Sequence, residues 1–106
     1  LAAIFAANDE MALGAMEAVA AANRLDRIDI VGFDAIPDAL TNIRSGRLLG
    51  SVAQFPDEMG RLGVRHAVEL LREGRPPREE ILTPVEMINS DNVDVFAQEK
   101  PEVVDQ

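Results

Sequence analysis

Asn8, Asp34 and Gln54 are the residues of this chain whose types and positions could do chemistry. Each stands where an apolar run stops: Asn8 after Ile4-Phe5-Ala6-Ala7, Asp34 after Ile30-Val31-Gly32-Phe33, and Gln54 after Ser51-Val52-Ala53. A helical pattern follows each stop, led by Pro37 in the second case and by Pro56 in the third. In an open parallel α/β sheet, ligands bind in the crevice beyond the carboxyl ends of the strands. Strands of this kind would present the three side chains along one rim. Two amides and one carboxylate offer donors and acceptors without positive charge, a set suited to hydroxyls rather than to phosphates. Each residue also has a plainer use. Asn8 is a good helix N-cap, although an amide that accepts from helix N–H groups can still donate outward. Gln54, two residues before Pro56, could simply start a loop. Asp34 has the stronger claim, because an acid ending an apolar strand is poorly placed unless it caps or binds.

The elements that must position these residues can be read in order. Leu1 to Ala7 lacks helical polarity and is expected as a buried strand. Behind Asn8, the acids Asp9 and Glu10 fall in a first helical turn, where the dipole favours negative charge. They read as ordinary capping charges rather than as a catalytic pair. Leu13, Met16, Val19 and Ala20 recur at helical steps through an alanine-rich stretch, and Asn23 is a plausible left-handed stop. Asp29 to Asp34 is the second strand. Pro37 opens a short helix with Leu40 and Ile43 on one face, ending before Gly46. Arg47 to Gln54 carries the third strand. A longer helix runs from Pro56 to Gly74, with Met59, Leu62, His66, Leu70 and Leu71 on or near its apolar stripe. Ile81 to Asn89 is a fourth extended run. Pro84 cannot donate to a ladder, so this strand belongs at a sheet edge or holds a bulge. The alternation predicts an α/β fold with a mostly parallel, layered sheet.

Composition excludes several kinds of chemistry. The 106 residues are 47% hydrophobic and 27% charged, and carry a net charge of -9, which argues against nucleic acid and anionic membranes as partners. There is no cysteine, hence no disulfide framework, thiolate metal site or cysteine nucleophile. His66 is the only histidine, so no metal site of the HExxH kind can form, and it reads as core or helix-surface packing. Ser45, Ser51 and Ser90 lack a nucleophile elbow and an obvious base partner. Gly46-Arg47-Leu48-Leu49-Gly50 precedes a strand rather than a helix and has no lysine after it, so it is a turn and not a phosphate loop. Neither enzyme activity nor a metal or cofactor is expected. The chain starts at Leu1, and the first strand follows almost at once, so an amino-terminal portion is expected upstream.

Taken together, Ala7-Asn8-Asp9-Glu10-Met11-Ala12-Leu13-Gly14-Ala15, Ile30-Val31-Gly32-Phe33-Asp34 and Ser51-Val52-Ala53-Gln54-Phe55-Pro56-Asp57 with Gly60 resemble the carboxy-terminal part of the type I periplasmic sugar-binding proteins. The ribose-binding branch is the nearest in pattern. The similarity covers about residues 2 to 92, and includes Pro84-Val85 and Asn89 through Asn92. It implies a two-lobed protein whose chain crosses between lobes three times. Asn8, Asp34 and Gln54 then match positions that contact sugar hydroxyls, Gln54-Phe55 matches a hinge crossing, and a return is expected near Glu79 to Leu82. On this reading residues 1–54 belong to the ligand-binding lobe, and residues 55–80 form the crossing and a helix of the other lobe. Residues 81–92 return to the first lobe, and residues 93–106 are an acidic, disordered tail. The family's aromatic residues that sandwich the sugar, and its arginines that reach the ring hydroxyls, are not in this stretch.

The resemblance implies a pentose-binding solute receptor, ribose being the model ligand, that serves the membrane permease of an ABC importer. It would sit in the periplasm or, membrane-anchored, outside the cell. Without the amino-terminal lobe, the helix after Pro56 would lose its packing partner and favour self-association. The effector domain of a lactose-repressor-like regulator shares the fold and the Gly-Phe-Asp strand end. Such regulators usually continue with a second acid and a Leu-Thr-Thr segment, where this chain has Ala35-Ile36-Pro37-Asp38.

Overall fold

The computed structural model describes residues 1–76 and 80–99, which fall into two units. The first comprises Leu1–Ala53 with the segment from Glu86 onward, and the second comprises Gln54–Val85.

In the first unit, β1 (Ala3–Phe5), β2 (Asp29–Phe33) and β3 (Gly50–Ala53) lie side by side and parallel. The register pairs Phe5 with Val31 and Phe33 with Val52, so the three carboxyl ends reach the same edge. β4 (Glu86–Ile88) pairs antiparallel with β3 and completes the order β1-β2-β3-β4. It lies at the sheet edge, as expected of a segment containing Pro84, but is shorter than the extended run read over Ile81–Asn89. Pro84 has no N–H to give the ladder, and pairing starts only at Glu86.

Helix α1 (Asp9–Ala21) packs against β2 and buries Ala12, Met16 and Val19. It ends as Asn23 promised. Asn23 has φ 56°, its N–H donates to Ala20, and the N–H of Arg24 reaches back to Val19, which is the hydrogen-bond pattern of a Schellman stop. Helix α2 (Pro37–Arg44) puts Ala39, Leu40 and Ile43 into the core beside Ile30, Leu48 and Ile88.

The expectation of a disordered tail from Val93 is corrected over Val93–Glu99, which form helix α4. Val93 and Phe96, three residues apart, are 2% and 5% exposed and give this acidic stretch an apolar anchor. Asn92 ties down the approach, accepting from the Asn89 N–H at 2.8 Å and donating to the Met87 carbonyl at 2.9 Å. Arg44 on α2 meets Asp94 on α4 at 2.8 Å; both side chains are well exposed, so the pair is worth at most about 1 kcal/mol. The remainder of the expected tail, residues 100–106, lies outside the described residues.

The second unit consists of helix α3 (Pro56–Glu73) and the segment up to Val85. Pro56 opens the helix, Asp57 and Glu58 occupy its first turn, and Gly74 closes it at φ 67°, a left-handed value that costs glycine little. None of its residues is buried. The return to the first unit falls at Glu86, several residues later than the expected Glu79 to Leu82. Glu79 itself lies outside the described residues. No helix among the described residues is long and apolar enough to cross a membrane.

Candidate functional site

The carboxyl edge of the parallel sheet is built from the residues that follow β1 and β2. Asn8 is half-buried with extended backbone (φ -150°, ψ 173°), and its Oδ1 accepts from the Met11 N–H at 2.9 Å. That is an N-cap contact, worth about 1 kcal/mol to the helix. The cap uses the amide oxygen and leaves the Nδ2 hydrogens out of this contact.

Asp34 is the first residue beyond β2. It is exposed, and its N–H donates to the Val52 carbonyl at 2.8 Å, extending the β2–β3 ladder by one step. Its φ is 107° and that of Ala35 is 55°, two consecutive non-glycine residues at positive φ. Each such residue costs on the order of 1–3 kcal/mol and persists only where its surroundings enforce it.

Asp9 is hydrogen-bonded to this turn. Read from sequence as a capping charge in a helical first turn, it is instead fully buried. Oδ2 accepts from the Ile36 N–H at 2.8 Å, and Oδ1 accepts from the Ser51 hydroxyl at 2.7 Å. Ser51, also fully buried, accepts in turn from the Ala35 N–H at 2.9 Å. The start of α1, the turn after β2 and the middle of β3 are thereby joined through two side chains. A buried acceptor or donor stripped of its partner here would cost about 1–3 kcal/mol. Ser51, read from sequence as lacking an obvious base partner, has a carboxylate within hydrogen-bond distance. The pair nevertheless makes no nucleophile, since the hydroxyl is shut away from solvent and no histidine belongs to the network.

Gly32 completes this corner. A Cβ there would overlap Asp9 Oδ1 and lie 2.9 Å from the Ala12 Cβ. An isolated glycine in a strand pattern signals close approach of another group, and that signal was present in the sequence. It did not say which group approaches.

Gln54 directly follows the last residue of β3 and is the first residue of the second unit. The structure thus brings Asn8 and Asp34 to one sheet edge within one unit, while Gln54 belongs to the other. His66 is half-buried on α3 with Nδ1 3.4 Å from Glu69. No cluster of three metal-ligating side chains occurs among the described residues.

A layered, largely parallel α/β sheet with a polar carboxyl edge defines a class of small-ligand-binding folds. The chain belongs to the periplasmic binding protein domain family, whose model matches residues 1–76. It is 49% identical over 70 residues to the ribose import binding protein of Haemophilus influenzae, a match covering 66% of this chain and 23% of that relative. Among solved structures, the periplasmic ribose ABC transporter protein from Conexibacter woesei matches with a TM-score of 0.81 and 32% identity, covering 92% of this chain and 33% of that one. The Caulobacter myo-inositol binding protein, bound to myo-inositol, matches with a TM-score of 0.73 and 35% identity over 88% of this chain and 31% of that one. The chain therefore spans a quarter to a third of the length of these relatives.

Proposed function

We propose that this chain supplies part of the sugar site of a two-lobed solute receptor, binding a pentose such as ribose and delivering it to a membrane permease of an ABC importer. Asn8 and Asp34 contact sugar hydroxyls, and Gln54 adds a further amide. Gln54-Phe55 serves as a hinge crossing. The protein works by binding and closure rather than by catalysis, outside the inner membrane. Ligand shifts the population toward a closed form already accessible to the free protein.

One observation carries this reading: an exposed acid, Asp34, is held on a costly left-handed turn at the carboxyl edge of a parallel sheet. Such strain is kept where a site over-determines it. The relatives above, named for ribose and myo-inositol, supply the class of ligand. Nothing in them favours the regulator alternative. Helix α3 keeps an exposed apolar stripe, which the remainder of the receptor covers; in this chain alone the same stripe drives self-association, read by sedimentation.

Calorimetric titration of the complete protein with ribose and with myo-inositol tests the proposal. Micromolar binding of ribose is expected, with myo-inositol weaker. Binding of neither sugar at millimolar concentration would remove the sugar reading.

A further inference from the structure

We propose that Asp9 is a positioning residue for Asp34: its buried side chain sets the conformation of the Asp34–Ile36 turn, and with it the aim of the Asp34 carboxylate at the ligand. This rests on the reading of Asp34 as a sugar contact.

Asp9 does not act as the cap of its own helix. Asn8 performs that task, accepting from the Met11 N–H. Both oxygens of Asp9 are committed to distant segments, one to Ile36, 27 residues on, and one to Ser51, 42 residues on. Through Ser51 the same network also takes up the Ala35 N–H. Two consecutive amides of the turn are thus held, directly or through one hydroxyl, by a single carboxylate. On the other side, the N–H of Asp34 is pinned to Val52 on β3.

The backbone from which the Asp34 side chain departs is therefore locked on both flanks, in a conformation that non-glycine residues rarely adopt. Glycine at position 32 leaves the space that Asp9 Oδ1 occupies. A side chain held ready in its bound geometry loses less freedom when ligand arrives, so the gain appears as affinity. Loosening the turn should accordingly weaken binding through Asp34 and through no other contact.

A double-mutant cycle in the complete protein reads this directly. Asp9→Asn keeps an acceptor for Ile36 but turns an NH2 toward Ser51, whose hydroxyl then loses its acceptor. With Asp34 intact, Asp9→Asn should weaken ribose binding about tenfold; in an Asp34→Asn background it should cost no more than about twofold. A merely structural loss lowers the competent fraction equally in both backgrounds, and calorimetric stoichiometry reports that fraction separately. Amide hydrogen exchange at Ala35 and Ile36 should also accelerate in Asp9→Asn without ligand, while α1 beyond its first turn stays protected. If Asp9→Asn does not fold, Ser51→Ala breaks the same relay from β3 and should show the same non-additivity. Equal losses in both Asp34 backgrounds, or unchanged exchange at Ala35 and Ile36, would overturn the proposal. A wild-type protein that binds neither ribose nor myo-inositol would bring down the function reading and this role with it. That outcome is distinct from additive losses in a protein that binds.

Discussion

Helix α1, 13 residues long, buries Asp9, Ala12, Met16 and Val19, whereas α3, 18 residues long, buries nothing. The contrast runs against their sequences. α1 is alanine-rich with a blurred apolar face, and α3 carries a clear stripe in which Met59, Leu70 and Leu71 remain between 39% and 85% exposed. A periodic stripe says which face of a helix will pack if something lies opposite it. It does not say that anything does. α1 has β2 to lie on, and small alanines let it come close. The sheet-bearing unit consequently holds the energetics of this chain, while the α3 unit presents surface.

Truncations in the two helices give the largest test of this contrast. Met16 is 2% exposed, and Met16→Ala should destabilise the fold by about 2–5 kcal/mol. Leu71 is 85% exposed, and Leu71→Ala should stay within about 0.5 kcal/mol. Urea unfolding of both variants checks the pair, and similar losses would mean that α3 packs far more tightly than its exposure implies.

Next in size is the loss of the proposed ligand contact. A carboxylate can accept from two neighbouring hydroxyls, and hydrogen bonds to charged groups are worth roughly 1.5–3 kcal/mol each. Asp34→Ala in the complete protein should weaken ribose binding by at least ~100-fold, since 1.4 kcal/mol is about tenfold. Less than a fivefold loss by calorimetry would take Asp34 out of the site.

Gly32→Ala probes the corner where α1 meets β2. The added methyl would overlap Asp9 Oδ1 and crowd Ala12, so the variant should lose about 1–3 kcal/mol of stability. Gly63→Ala on α3, where no atom lies within 4 Å of the new Cβ, should be neutral or slightly stabilising, because alanine suits a helix better. Equal melting shifts in the two variants would contradict the close packing at Gly32.

The smallest effect concerns Asn8. Asn8→Ala removes the acceptor for the Met11 N–H and should cost about 1 kcal/mol, while Asn8→Asp should keep the cap. Sugar binding is expected to fall in both, since neither retains an amide donor for the proposed sugar contact. If Asn8→Asp binds ribose as the parent does, Asn8 serves the helix and not the ligand.

Much of this arrangement was legible in the residues. The apolar runs that stop at Asn8, Asp34 and Gln54 marked where three parallel strands end, but the buried strand expected over Leu1 to Ala7 is corrected: β1 covers only Ala3–Phe5 at an edge of the sheet, and Phe5 is exposed. Pro37, Pro56, Asn23 and Gly74 placed helix boundaries within a residue or two. Val93–Glu99 was misjudged because a seven-residue helix with only Val93 and Phe96 buried shows almost no period, and its acidic residues dominate the composition. Asp9 was misjudged for another reason. An acid at the first helical position is stabilised there by the dipole in any case, so the local argument was satisfied and pointed no further.

The sequence by itself determined the order of elements from β1 to β4, the approximate strand stops and the helix caps, since each depends on residues no more than a few positions apart. Tertiary structure alone decided that Asp9 would meet Ile36 and Ser51, and that Ala35 would be held at positive φ beneath Asp34. Those contacts join positions 16 to 42 residues apart, and they exist only once β1, β2 and β3 have taken their parallel register. A carboxylate in a first helical turn is the same residue whether it faces water or the end of a neighbouring strand. Which of the two it faces is set by the register of the sheet, and no local pattern encodes that.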